Sequence, residues 1–215
     1  MATSDLGAGV TSRTEGYCED AAPRQPQDRA HPADGPGAKR PTVLVADPPW
    51  RFRDSLPGRA RGASKHYGCL SASDIVRFTL PPIGSDAVLF LWRVASMQQE
   101  ALDVCRHWGF VVKTELVWIK ETSSGKRHMG MGRILRAEHE TCLVATRGKV
   151  APDVRNVRST FRAPVRSHSE KPEEFYAIVR ELFPDYRKIE LFARRTRPGW
   201  EQYGNQVGLL DEVAR

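Results

Sequence analysis

The stretch TVLVADPPW, residues 42–50, decides how this chain is interpreted. Its first five residues form a short, almost wholly apolar run, which is typical of a buried strand in an α/β sheet. Asp47 and two prolines follow at once, and because prolines donate no backbone hydrogen bond, the chain leaves the sheet as a rigid extended loop. Ligands bind beyond the carboxyl ends of strands in open α/β sheets, so this loop predicts a functional site.

Short apolar runs alternate with amphipathic segments from Pro41 onward, which predicts an α/β fold with helices on the faces of a sheet. The predicted strands cover residues 42–46, 87–92, 111–119, 141–145 and 188–192. Helical spacing of apolar residues predicts helices over 96–108 and 172–183, with a brief helix over 73–77. Gly109 and Pro184 are the stops after the two longer helices.

The composition indicates one folded domain with a basic surface. The 215 residues include 33 Lys or Arg and 26 Asp or Glu, for a formal net charge of +7. Residues 1–40 contain 5 basic and 6 acidic residues without apolar periodicity, which predicts a disordered tail before a folded domain at 41–210. The positive charge therefore belongs to the domain, and it favours a nucleic acid as partner.

The same sequence argues against several other classes of protein. No apolar run approaches the roughly 20 residues of a membrane span, and the amino terminus lacks a basic-then-apolar signal. The four cysteines lack the paired short spacings of zinc sites and small disulfide scaffolds. We expect a cytoplasmic protein with reduced thiols, no metal and no membrane partner.

The Asp-Pro-Pro-Trp loop has the groups that a flat base with an amino substituent requires. The Asp47 carboxylate and the Pro48 carbonyl can accept both hydrogens of the amine, and Trp50 can form a wall for the ring. Two acceptors that draw the nitrogen towards tetrahedral geometry free its lone pair for attack. The simpler alternative is a tight turn that carries a surface aspartate.

Further blocks follow this loop in a specific order. They are His66-Tyr67-Gly68, LFLW at 89–92, VWIK at 117–120, Arg136 and Glu140 before CLVATRG at 142–148, HSEKP at 168–172, IELFAR at 189–194 and GNQ at 204–206. With these blocks the chain resembles the adenine N6-methyltransferases of the MT-A (seventy-kilodalton subunit) type, in their compact bacterial and phage branch. The resemblance covers about residues 42–208 and implies a Rossmann-like methyltransferase fold, with one mixed sheet, helices on both faces and a permuted motif order.

The resemblance also implies a reaction, a cofactor and a set of site residues. The reaction is methyl transfer from S-adenosyl-L-methionine to N6 of adenine in DNA, carried out at Asp47, Pro48, Pro49 and Trp50. The implied cofactor-binding residues are Asp47, Lys171, Phe192, Arg194, Asn205 and Gln206, and the implied substrate-binding residues are Tyr67, Trp118, Lys120, Arg136 and Glu140. Lys171 would hold the methionine carboxylate, and Asn205 with Gln206 the ribose hydroxyls.

Several of these residues have structural alternatives that the sequence leaves open. Lys171 suits the start of a helix whatever it binds, Arg136 and Glu140 could form a surface ion pair, and Trp118 could belong to the core. RNA as substrate and a noncatalytic nucleic-acid-binding subunit are further alternatives. A homodimer and a heterodimer are equally compatible with the sequence. Two basic segments, 51–65 and 149–166, are expected to contact phosphates on either side of the target.

Overall fold

The structure is a computed structural model, and it describes residues 41–51, 69–130, 132, 134–166 and 170–203. In chain order the elements are β1 (Thr42–Ala46), α1 (Ala72–Val76), β2 (Ala87–Arg93), α2 (Gln98–His107), β3 (Val111–Glu121), β4 (His139–Arg147), β5 (Thr160–Pro164), α3 (Glu173–Leu182), β6 (Arg187–Leu191) and β7 (Glu201–Tyr203). The predicted tail at 1–40, the basic segment at 52–65, and Tyr67, Asn205 and Gln206 lie outside the described residues.

The described strands form one mixed sheet in the order β5-β3-β4-β2-β1-β6-β7. β4 runs antiparallel to its neighbours β2 and β3, and every other neighbouring pair is parallel. β1 lies between the parallel strands β2 and β6. Its carboxyl end therefore opens at the edge of the sheet where β2, β3 and β6 also end.

Alternate residues of β1 point into two separate cores. Leu44 and Ala46 pack in the core under α1 and α2, whereas Val43 and Val45 pack in the core under α3. All four are at most 1% exposed, and full burial of a valine or leucine side chain contributes about 1.5–3 kcal/mol. The prediction of one mixed sheet with helices on both faces is confirmed.

The helices end where local sequence stops them. Gly109 follows α2 with a φ of 80°, a left-handed conformation that glycine adopts without a steric penalty. α3 begins after Pro172, has Glu173 and Glu174 in its first turn, and ends before Pro184. The three predicted helices are confirmed to within about two residues at each end. No helix among the described residues is long and apolar enough to cross a membrane.

Three features of the sheet differ from the prediction. The edge strands β5 and β7 were not predicted, because they are short and their sequences, TFRAP and EQY, have no apolar run. β3 was predicted as a buried strand, but only Leu116 and Trp118 are buried, both against the α3 side. Its first residue, Val111, is 60% exposed. β3 lies next to the edge strand β5, and its other face is largely uncovered, so apolar sequence did not guarantee burial there.

Candidate active site

The Asp-Pro-Pro-Trp loop is anchored to the sheet by its tryptophan. The Trp50 indole Nε1 donates to the Trp92 carbonyl oxygen, at the end of the neighbouring strand β2, over 2.9 Å. The ring is 4% exposed and packs in the core under α1 and α2. Trp50 therefore anchors the loop to the sheet. A base could reach its ring only by displacing the residues around it, so stacking of a base on Trp50 stays a prediction.

The two proline carbonyls that follow Asp47 both accept hydrogen bonds within the chain. Pro48 O accepts from the Trp50 backbone N–H over 2.8 Å, and Pro49 O accepts from that of Leu70 over 2.8 Å. A carbonyl oxygen has two lone pairs, so Pro48 O can still accept one further hydrogen bond. The internal bonds hold the loop in one conformation before any ligand arrives.

Four charged side chains alternate in sign along the carboxyl edge of the sheet, on the side that faces α3. Lys171 Nζ lies 2.7 Å from Asp47 Oδ2 and 3.4 Å from Glu140 Oε2. Lys120 Nζ lies 2.6 Å from Glu140 Oε1. The row therefore runs Lys120, Glu140, Lys171, Asp47, and it joins β3, β4, the start of α3 and the Asp-Pro-Pro-Trp loop.

Lys171 is the buried centre of this row. Its side chain is 7% exposed, against 28% for Asp47, and its Nζ also lies 5.0 Å from the centre of the Trp92 ring. Burial favours the neutral amine, but the carboxylates of Asp47 and Glu140 outweigh burial and raise the pKa of Lys171. The ammonium is consequently permanent near neutral pH, and it fixes the position of the more exposed Asp47 carboxylate.

Glu140 is held ionised by the same arrangement. Burial alone would raise the pKa of its carboxyl, but the ammonium groups of Lys171 and Lys120 lower it overall. The predicted alternative, an ion pair between Arg136 and Glu140, is wrong, because the two ammonium groups are the partners of Glu140. Arg136 instead lies exposed in the segment between β3 and β4.

A second polar cluster, which sequence reasoning missed, lies beside the first under the end of β6. The Tyr176 hydroxyl donates to Glu190 Oε1 over 2.6 Å, and the guanidinium of Arg197 stacks 3.4 Å from the centre of the Tyr176 ring. Burial raises the pKa of the Glu190 carboxyl despite the hydrogen bond from Tyr176. The sequence does contain one indication of this cluster. Glu190 lies between two apolar residues, Ile189 and Leu191, in a predicted buried strand, where a carboxylate needs a polar partner.

The exit from β6 has an unusual backbone. Phe192 has a φ of 60°, a left-handed conformation that costs a non-glycine residue roughly 1–2 kcal/mol. Its ring is 4% exposed and lies 4.6 Å from that of Phe78, centre to centre. Arg194 follows at the same edge of the sheet, half-buried. The structure thus brings these two predicted cofactor residues to the end of the strand beside Asp47.

Trp118 and Lys120, two of the predicted substrate residues, occupy neighbouring positions on β3. Trp118 is 2% exposed, and its indole Nε1 donates to the Ala163 carbonyl oxygen over 2.9 Å. Lys120 Nζ lies 5.3 Å from the centre of the Trp118 ring. Trp118 is therefore part of the core, as one alternative had it, and its contact with a substrate stays a prediction.

Comparisons with known proteins match this chain to one family and to several methyltransferases. The MT-A70 family profile matches residues 41–206. A putative N(6)-adenosine-methyltransferase MT-A70-like protein of Medicago truncatula is 33% identical over 80% of this chain and 28% of its own length. The N(6)-adenosine-methyltransferase catalytic subunit METTL3 of Homo sapiens is 33% identical over 79% of this chain and 29% of its own length. The type II methyltransferase M.MunI of Mycoplasma sp is 29% identical over 79% of this chain and 78% of its own length. The chain thus spans little more than a quarter of the eukaryotic relatives it matches.

Proposed function

Because the chain belongs to the MT-A70 family, we propose that it transfers a methyl group from S-adenosylmethionine to N6 of adenine in DNA. The observation that carries this proposal is the Asp47 carboxylate, which is solvent-accessible, lies at the carboxyl end of a central parallel strand and is fixed by the buried ammonium of Lys171. An ionised acceptor held at that position is what an amine nucleophile needs.

The residues of the site fit an amino-acid cofactor. A methionine moiety carries one ammonium and one carboxylate, and the row offers a carboxylate in Asp47 and an ammonium in Lys171, 2.7 Å apart. In this proposal Lys171 holds the cofactor carboxylate, and Phe192 and Arg194 border its adenosine part. When bound, S-adenosylmethionine supplies an electrophilic methyl group.

The catalytic loop then positions the amine of the target base. Asp47 and the second lone pair of Pro48 O would accept its two hydrogens, which frees the nitrogen lone pair for direct attack. As the nitrogen–carbon bond forms, the sulfur–methyl bond of the cofactor would break and leave a neutral thioether, and the methylated nitrogen would lose one proton to solvent through Asp47. No covalent intermediate with the chain is needed. Cys142 lies near Lys171, but burial raises the pKa of its thiol well above the ordinary value, so the thiol stays protonated and is a poor nucleophile. Positioning and electrostatics supply most of the rate in this mechanism.

The share of a DNA-type relative that this chain covers favours DNA as the polymer. M.MunI, whose name is that of a type II methyltransferase, is a relative whose length this chain largely covers, at 78%. The segment at 149–166 carries exposed arginines, among them Arg155, Arg158 and Arg166, which can neutralise phosphates of either polymer. RNA is the second candidate, because the relatives at 33–34% identity are named N(6)-adenosine-methyltransferases.

Mass spectrometry of digested nucleic acid tests the proposal directly. Purified protein is incubated with S-adenosylmethionine and matched DNA and RNA, each single- and double-stranded, and N6-methylated adenine nucleosides are quantified. We expect product on DNA from the wild type, and a loss of at least about 100-fold in Asp47→Asn, which keeps the shape of the side chain but removes the charge.

Asp103→Asn is the matched control, since Asp103 is an exposed aspartate on α2 that pairs with Arg106. It should retain wild-type activity. Product on RNA alone would show that RNA, and not DNA, is the substrate. Substantial activity in Asp47→Asn would refute the catalytic assignment, and a wild type that binds nucleic acid but not S-adenosylmethionine would indicate a noncatalytic subunit.

A further inference from the structure

The crossover between β6 and β7 carries an arginine that lies against the polar cluster of Tyr176 and Glu190. Arg197 begins the sequence RPGW, and its carbonyl oxygen accepts from the Trp200 backbone N–H over 3.1 Å. Pro198 and Gly199 occupy the two central positions, and the φ of 76° at Gly199 is typical of the third residue of a type II turn. The local sequence therefore fixes where the Arg197 side chain leaves the backbone.

The Arg197 side chain is enclosed by an aromatic ring and two carboxylates. Its guanidinium lies 3.4 Å from the centre of the Tyr176 ring and donates to Glu173, in the first turn of α3. Its Nε lies 4.0 Å from Glu190 Oε2. Trp200 meets the same Tyr176 ring edge to face, at 5.4 Å between centres. With Arg197 and Trp200 both in contact with it, the Tyr176 ring is held in one orientation.

The ring held in this way orients the carboxylate of Glu190. The Tyr176 hydroxyl donates to Glu190 Oε1 over 2.6 Å, so this oxygen is occupied. Within the described part of the chain no group donates a hydrogen bond to Oε2, although the side chain is only 14% exposed. A nearly buried acceptor normally has a donor. Glu190 thus offers one acceptor oxygen, in a direction that Tyr176 sets, to a donor from outside the cluster.

Glu190 and Asp47 face the same side of the sheet on neighbouring strands. β6 pairs with β1 in parallel, with Glu190 opposite Val45, and Val45 points into the core under α3. Successive side chains of a strand alternate between its two faces, so Glu190 points to the α3 side as well. Asp47 follows two residues after Val45 and meets Lys171, at the start of α3, on this same side. The acceptor oxygen of Glu190 therefore lies one strand away from the proposed site of methyl transfer.

The charges around Glu190 decide its protonation. Burial, together with the carboxylates of Asp47 and Glu173, raises the pKa of the Glu190 carboxyl, whereas the hydrogen bond from Tyr176 and the guanidinium of Arg197 lower it. Burial prevails, so this pKa lies above its ordinary value. Loss of either Tyr176 or Arg197 removes a group that favours the carboxylate, and the pKa of Glu190 then rises further.

We propose that Tyr176 and Arg197 are positioning residues for the cofactor, and that they hold Glu190 as an oriented acceptor for an O–H or N–H donor of S-adenosylmethionine. This inference rests on the proposed function and names two residues that act on the cofactor site through a third. Tyr176 sets the direction of the carboxylate, and Arg197 holds the Tyr176 ring and supplies a compensating positive charge. A carboxylate accepts a stronger hydrogen bond than a neutral acid does, so cofactor affinity depends on both residues.

The test measures the affinity for S-adenosylmethionine, without nucleic acid, by calorimetry between pH 5 and pH 7.5. Affinity should fall as Glu190 is protonated, and the midpoint of this fall should lie about one pH unit higher in Arg197→Met and in Tyr176→Phe than in the wild type. Below both midpoints this shift corresponds to about tenfold weaker binding. Arg197→Lys keeps the charge and should recover most of the shift. Glu190→Gln cannot titrate, so it should bind weakly without this fall.

Arg195→Met is the matched control. Arg195 is an exposed arginine of the same crossover that pairs with Glu170, so its replacement removes one positive charge from the segment but no contact of Tyr176 or Glu190. Its midpoint should equal that of the wild type. A merely structural role of Arg197 would weaken binding equally at every pH, and an unshifted midpoint would overturn the proposal. Tyr176→Phe keeps the ring between Arg197 and Trp200, so it serves as the test if Arg197→Met does not fold.

Methyl transfer separates this inference from the proposed reaction. In Tyr176→Phe at pH 6, the KM for S-adenosylmethionine should rise by up to about tenfold, while kcat stays within about threefold of the wild type. A wild type that binds the cofactor, with midpoints that no variant shifts, would overturn the positioning role and leave the reaction standing. Shifted midpoints without methylation of any polymer would refute the reaction and leave the positioning role standing. A wild type that binds no cofactor at any pH would refute both.

Discussion

Replacement of the buried ammonium in Lys171→Met tests the charged row most directly. At an effective dielectric constant of about 20, the attraction of Lys171 for Asp47 at 2.7 Å and for Glu140 at 3.4 Å is about 6 and about 5 kcal/mol. Desolvation of the ammonium offsets most of this gain. Lys120 also remains beside Glu140 in the variant. Loss of one partner from a buried pair destabilises by about 3–5 kcal/mol, and we expect the lower end, about 3 kcal/mol at pH 7.

The assay is urea-induced unfolding at pH 7 and pH 3.5, with Lys188→Met as the matched control. Lys188 is as buried as Lys171, at 8% exposed, but its Nζ donates to the carbonyl oxygens of Pro184 and Tyr186. Its replacement should cost about 1–2 kcal/mol. A loss of about 3 kcal/mol lowers Tm by about 6–12 °C in a domain of this size.

The sign of the pH dependence follows from Glu140. A carboxyl whose pKa is lowered on folding contributes stability above its unfolded pKa, and this contribution is lost as the pH falls through the folded pKa. The wild type therefore loses more stability than the variant on acidification, and the difference between them should shrink at pH 3.5, which is below the ordinary pKa of a glutamate. Lys171→Met should therefore not cost less than about 1 kcal/mol of unfolding free energy at pH 7, nor the same amount at both pH values. Either result would refute this account of the charged row.

Two further predictions concern a turn and the cysteine side chains rather than the charged row. Gly148→Ala should lower the free energy of unfolding by about 2 kcal/mol, because the residue has a φ of 66° and a Cβ there would clash with Asp86 Oδ1. A thermal melt equal to that of the wild type would contradict this. Cys69 should be alkylated much faster in the native protein than Cys105 or Cys142, since both of these are buried and burial raises the pKa of the Cys105 thiol to about 12. Peptide mass mapping of a time course measures the ratio, and comparable rates at the three thiols would show that the buried pair is accessible.

Much of this molecule could be read from local sequence. The apolar run at 42–46 predicted β1 to the residue, and the stops at Gly109 and Pro184 placed the ends of α2 and α3. These signals are local because burial of a strand, a fixed φ at proline and a left-handed turn at glycine each depend on one short segment. The edge strands β5 and β7 lacked such a signal, since pairing with β3 and β6 rather than their own composition makes them strands.

In the candidate site, too, the individual groups follow from local sequence, whereas their pairing depends on the tertiary structure. The sequence predicts both the loop with Asp47 and the helix start with Lys171, and it shows the charge that each carries. That the two meet, although they are 124 positions apart, depends on the order of strands in the sheet and on the side of it that α3 covers. The fold also decides the partners of two glutamates. Glu140 pairs with two lysines instead of Arg136, and Glu190 accepts a hydrogen bond from Tyr176. The sequence by itself determined which segments are strands and helices and which chemical groups stand at their ends. Tertiary structure decided the partners of those groups, because a charge taken out of water must be matched by whatever other charge the fold brings to the same place.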